Sequence, residues 1–152
     1  MVRSTDGTFL RQIGSGMAGN GSNQFQGPFG VVLVGDKKTL AVSDCGNHRI
    51  VIVTTAGTFV RQIGDRVAGS APNQFHNPYL LCVLADGETL VVPDEENHRL
   101  QVVKIDGTFV RSIGNGKGSL PNQFNGPRGV CQVGNGCFVV SDTGNHRLQI
   151  IQ

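Results

Sequence analysis

A threefold repetition with a period of about 50 residues runs through this chain and constrains its fold more than any other feature. Gly-Thr-Phe at 7–9 returns at 57–59 and 107–109, and Gln-Ile-Gly or Ser-Ile-Gly at 12–14, 62–64 and 112–114. Asn-Gln-Phe occurs at 23–25, 73–75 and 122–124, and Asn-His-Arg at 47–49, 97–99 and 145–147. Such repetition means that one supersecondary unit recurs and buries its apolar faces against its neighbours. The 22 glycines fall at recurrent positions, so they mark turns and not low complexity.

The second unit shows what each repeat contains. Tyr79–Leu84 is a short apolar run, Ala85–Glu88 a turn, and Thr89–Val92 a second apolar run. Asp94–Asn97 is a further turn, after which His98–Lys104 and Thr108–Ile113 alternate around Asp106-Gly107. Short β-branched runs bounded by Gly, Asp and Asn predict strands, and Asp-Gly predicts a hairpin. No segment carries a 3.6-residue apolar period, so no substantial helix is expected. Each repeat is expected to be a four-stranded antiparallel meander, a to d from inside outward, and radial repetition of such sheets makes an all-β propeller.

Composition removes several classes. There is no run of about 18 apolar residues and no apolar signal-peptide core at the N-terminus, so no membrane span or secretion signal is expected. A net charge of +2 predicts no bulk attraction to nucleic acid. Four cysteines without a Cys-x-x-Cys pair predict neither a metal site nor a disulfide framework, and so a reduced, cytoplasmic setting. Cys82 and Cys131, where the first repeat has Val32, are expected in the core; Cys45, in a loop, is the thiol expected to be exposed.

Asp44-Cys-Gly-Asn-His-Arg49, Asp94-Glu-Glu-Asn-His-Arg99 and Asp142-Thr-Gly-Asn-His-Arg147 resemble the NHL repeat. Phe25-x-x-Pro28, Phe75-x-x-Pro78 and Phe124-x-x-Pro127 complete the likeness, which covers the whole chain three times. It is similar to the NHL domains at the C-terminal ends of animal tripartite-motif ubiquitin ligases, although no RING, B-box or coiled-coil sequence is present. The resemblance implies a six-bladed propeller, whereas three repeats supply three blades.

The repeat boundaries suggest how the ring closes. Residues 1–14 contain an orphan outer strand (8–13); residues 15–64 and 65–113 are whole blades, and 114–152 carries strands a to c only. Two chains would form one six-bladed ring, a homodimer in which residues 8–13 of each complete the last blade of the other. A fragment cut at a blade boundary, or another ring size, is the alternative.

The repeated Asp44, Asp94 and Asp142 are expected to pair with Arg49, Arg99 and Arg147 and tie the b–c hairpins together. Asn47, Asn97 and Asn145 are expected to hold the turn, because asparagine tolerates left-handed backbone. His48, His98 and His146 lie on different blades and so do not converge on a metal. The positions that differ between repeats are the functional candidates. Phe29, Tyr79 and Arg128 follow the prolines, and Arg66, His76 and Lys117 lie near the same face. Aromatic and cationic side chains together suit a protein ligand or a single-stranded or hairpin RNA.

Some relatives of the repeat are metal-dependent lyases or hydrolases with the metal in the channel. The inner runs here (Gly30–Leu33, Leu80–Val83, Gly129–Val133) are nearly all apolar, and no catalytic motif is present. The expected function is a non-catalytic interaction platform needing no cofactor or metal. A recognition fragment of a tripartite-motif ligase is the alternative, and a channel-centred lyase or hydrolase a further one.

Overall fold

The computed structural model describes residues 7–134 and 136–152. Residues 1–6, at the start of the segment expected to hold an orphan strand, and Asn135 of the last a–b turn lie outside the described residues.

Among the described residues eleven strands form three antiparallel sheets. The first holds β1 (Pro28–Val34), β2 (Thr39–Asp44), β3 (Arg49–Thr54) and β4 (Phe59–Ile63), each hydrogen-bonded to the next. The second repeats this with β5 (Cys82–Val83), β6 (Thr89–Asp94), β7 (Arg99–Lys104) and β8 (Phe109–Ile113). The third has β9 (Pro127–Val133), β10 (Cys137–Asp142) and β11 (Arg147–Ile151). Among the described residues the helical content is three 3₁₀ turns, Cys45–Asn47, Glu95–Asn97 and Thr143–Asn145. No helix of the described residues is long and apolar enough to cross a membrane.

Aspartates set the turns. In the a–b turn of the second sheet, Asp86 Oδ1 accepts the backbone N–H groups of Glu88 and Thr89 at 2.9 and 2.8 Å. At the c–d turn Asp106 Oδ1 accepts the N–H of Thr108 at 2.8 Å, and Gly107 takes the left-handed φ of 97° that the hairpin requires. β5 is shorter than the Tyr79–Leu84 run predicts. The Leu80 N–H is drawn to the Arg128 carbonyl of the next sheet at 2.9 Å, which takes it off the ladder with β6.

The core lies between sheets. One cluster joins Ile50, Ile52 and Ile63 of the first sheet to Phe75, Leu81, Leu90 and Val103 of the second unit. Another joins Val91, Leu100 and Val102 to Phe124, Phe138, Val140 and Ile151 of the third. Phe75 and Phe124 are fully buried, each worth about 1.5–3 kcal/mol of transfer free energy. A third, smaller cluster (Val42, Val51 and Val53, with Ile13, Phe25, Leu40 and Phe59 against it) lies on the rear of the first sheet, where no preceding sheet of the described residues covers it. Each sheet therefore has a rear face, turned to the unit before it, and a front face, turned to the unit after it.

Two cysteines differ from expectation. Cys45 is half-buried: its thiol donates to the Pro78 carbonyl at 2.5 Å, and burial, reinforced by the Asp44 and Glu95 carboxylates, pushes its pKa up to about 12. Cys131 is the exposed one, because it lies in the last sheet, whose front face has no neighbouring sheet among the described residues. Cys82, between the second and third sheets, packs against the core as expected.

Candidate ligand-binding face

The Asp-to-Arg turns form the frame of one face. Each aspartate ends a b strand and each arginine opens the c strand directly opposite. Asp44 Oδ2 accepts Arg49 Nε and Asn47 Nδ2, both at 2.8 Å, while Oδ1 accepts the Gln26 N–H at 2.6 Å. The remaining Arg49 nitrogens donate to the carbonyls of Asn20, Gly21 and Gln24. Asp94 with Arg99 and Asp142 with Arg147 repeat the pattern, again at 2.8 Å. Each pair thus ties its hairpin to the long loop that enters the same blade. Burial alone would raise the Asp142 carboxyl, but the Asn125 N–H and the Asn145, Arg147 and Gln149 side chains outweigh it and hold the pKa below the usual value.

The asparagines hold these turns, though not by the expected route. The left-handed residues are the histidines, with φ of 51°, 53° and 54° at His48, His98 and His146. Each asparagine instead stays in the 3₁₀ turn and donates its side-chain amide to the aspartate and to a loop carbonyl: Gly19 for Asn47, Gly69 for Asn97 and Gly118 for Asn145. The left-handed step swings the histidine outward to the next blade. His48 Nδ1 accepts the Asn77 N–H at 3.2 Å, and His98 Nδ1 accepts the Gly126 N–H at 3.1 Å. An acceptor Nδ1 requires the neutral ring. Burial, with His76 nearby, lowers the His48 pKa against the opposing pull of Asp94.

Inside this frame three of the variable residues meet. Phe29 and Tyr79 stack edge to face with centroids 4.5 Å apart, and the Arg128 guanidinium lies 5.1 Å from the Tyr79 centroid. They occupy the same position in successive repeats, so the propeller sets them in a row. Arg128 is fixed by Glu95 at 2.6 Å, the carboxylate being buried and the guanidinium half-exposed. That hydrogen bond raises the Arg128 pKa. Phe29 is 56% exposed and forms the open end of the row.

His76 packs edge-on against His48 at 5.3 Å, beside the row. Lys117 lines a cleft of about 300 Å³ with Glu95, Glu96, His98 and Arg128 between the second and third blades. Arg66 is not brought to this group: its Nε donates to Gln62 Oε1 at 2.9 Å, beside the outer strand of the first blade. Glu95 is the participant that the sequence reading missed as a site residue. The signal was available, because Glu95 replaces Cys45 and Thr143 at its repeat position and Arg128 replaces Phe29 and Tyr79 at its own. Two departures from the repeat, on adjacent blades, compensate each other.

Fold and frame together define a β-propeller chain. More particularly, the NHL repeat pattern matches residues 124–151, and the sequence unit found there recurs twice upstream. No curated protein sequence matches it. Among solved structures it is similar to a structural genomics protein of unknown function from Bacteroides thetaiotaomicron (TM-score 0.70, 16% identity, covering 81% of this chain and 34% of that one). It is also similar to virginiamycin B lyase from Staphylococcus aureus (TM-score 0.62, 18% identity, covering 86% and 40%). A third likeness is to an auxiliary nutrient binding protein from B. thetaiotaomicron (TM-score 0.61, 15% identity, covering 80% and 36%). This chain therefore spans well under half the length of each.

Proposed function

We propose that the chain is a non-catalytic binding platform that works as a closed, self-assembled ring, with the row Phe29–Tyr79–Arg128 as the centre of its ligand face. A protein ligand is favoured over RNA. The observation that carries this is the Arg128–Glu95 pair: the guanidinium charge is already matched by a carboxylate, with Glu96 alongside, while Phe29 stays exposed. A face built to hold phosphate would leave its cations unmatched. Aromatic surface beside a fixed arginine is the composition of protein-binding anchors. The nearly apolar inner strands support a non-catalytic reading, since they offer few groups for acid–base chemistry in the channel.

The test is selection of ligands by the purified chain from a displayed random-peptide library and, in parallel, from a random single-stranded RNA pool. Peptides are expected to be enriched, and Phe29→Ala or Tyr79→Ala should weaken them at least tenfold with an unchanged circular-dichroism spectrum. Enrichment of RNA alone, with affinity falling steeply as salt rises, would overturn the protein reading.

A further inference from the structure

The first and last sheets present faces of the two kinds that meet at each internal joint. At each internal joint a front face meets a rear face. On the front faces Ile50 and Leu100 are fully buried, as are Ile52 and Val102 at 2% and 5% exposure. Their counterparts on the third sheet, Leu148 and Ile150, are 71% and 74% exposed. On the rear faces Leu81 is 6% exposed at the second sheet, whereas its counterpart Val31 on the first is 61% exposed. The chain thus has an open front face on its last sheet, and a rear face on its first sheet that is open along β1, where Val31 and Leu33 are exposed, while Val42, Val51 and Val53 are already covered by Ile13, Phe25 and Phe59.

The polar contacts repeat the same logic. Two histidines each accept a backbone N–H from the next blade, at Asn77 and Gly126. The third, His146, is exposed, and no following blade among the described residues reaches it. Gly27 is the residue of the first blade that corresponds to Asn77 and Gly126. The outer strand completes the picture. Ile63 and Ile113 pair with Ile50 and Leu100 and border the two internal cores. Ile13, their counterpart, already borders the rear cluster of the first sheet, while Phe9 and Leu10 are 79% and 86% exposed and residues 9–13 form no strand within this chain.

We infer that the partner of the open front face and of the open β1 edge is a second copy of this chain, joined through His146 to the backbone N–H of the partner's Gly27, with the partner's residues 9–13 lying beside β11. This rests on the reading of the chain as a self-assembling platform and specifies its joint. Two copies together supply six blades, within the range of about four to eight that propellers hold. The joint occurs twice, head to tail about a two-fold axis. Closure also brings the partner's Phe29 next to Arg128, so the aromatic–cation row becomes continuous around the ring and presents two identical ligand sites.

Light scattering behind a sizing column tests this with the full chain and two variants. Wild type is expected at twice 16.1 kDa. Leu148→Asp alters a side chain that is exposed within one copy, so it should yield a folded species of 16.1 kDa. His146→Ala should raise the dimer dissociation constant by roughly tenfold, the expected effect of one hydrogen bond at each joint. A monomeric wild type overturns both the ring and the joint. A dimeric wild type whose dissociation constant neither variant changes overturns this joint while leaving self-assembly standing. Peptide binding to the Tyr79 row, measured separately, reports on the platform itself.

Discussion

Asp94 is buried and holds four groups: the His76 N–H, Asn97 Nδ2, Arg99 Nε and Gln101 Nε2. Replacing it by alanine removes the carboxylate partner of a guanidinium and orphans one backbone N–H and two side-chain amides, so Asp94→Ala should cost about 3–5 kcal/mol in urea unfolding. A loss under 1 kcal/mol would contradict the framing role. Titration gives a second handle. Asp142 has a depressed folded pKa, so its stabilisation is complete above the ordinary carboxylate value near 3.8 and is lost as pH falls through the lower folded value. His48, also depressed, contributes above its ordinary value of 6.5 and loses that contribution once the pH falls through the folded pKa. Unfolding followed from pH 7 to 3 should therefore show declining stability in two stages, the first absent in His48→Gln.

At the scale of strands and turns, spacing between inner strands limits what the first blade accepts. A Cβ on Gly30 would lie 2.9 Å from Ser43 Oγ, from Leu81 Cδ2 and from the Tyr79 carbonyl oxygen, the last two belonging to the next blade. The carbonyl cannot yield as a flexible side chain can, so Gly30→Ala should destabilise by about 1–3 kcal/mol and loosen the Phe29–Tyr79 contact. Gly107, in open space but at φ 97°, should lose only about 1 kcal/mol as alanine, through backbone strain. Thermal melts of the two variants should rank Gly30→Ala as the less stable; the reverse order would mean that turn strain outweighs inter-blade spacing.

For the whole molecule, binding and closure are separable. Arg128→Glu combined with Lys117→Glu places like charge against Glu95 and Glu96 on the ligand face, so peptide affinity should fall at least tenfold while the melting profile stays cooperative. Unchanged affinity would remove both residues from the site.

The repeat period, turn residues and strand alternation of the sequence determined the all-β propeller architecture, because each is a local property read along one chain. The Asp–Arg pairing was legible for the same reason: the two residues flank one turn. Tertiary structure decided the rest. It placed His48, not Asn47, at the left-handed step, and that step turns the imidazole to accept a bond from the following blade. It half-buried Cys45 and exposed Cys131, since burial here depends on whether a neighbouring sheet exists, which a residue's place in its own repeat does not encode. It matched Arg128 to Glu95 across 33 positions of sequence and left Arg66 with Gln62. Contacts between blades are set by the radial packing of sheets, and that geometry appears only when the repeats stand side by side.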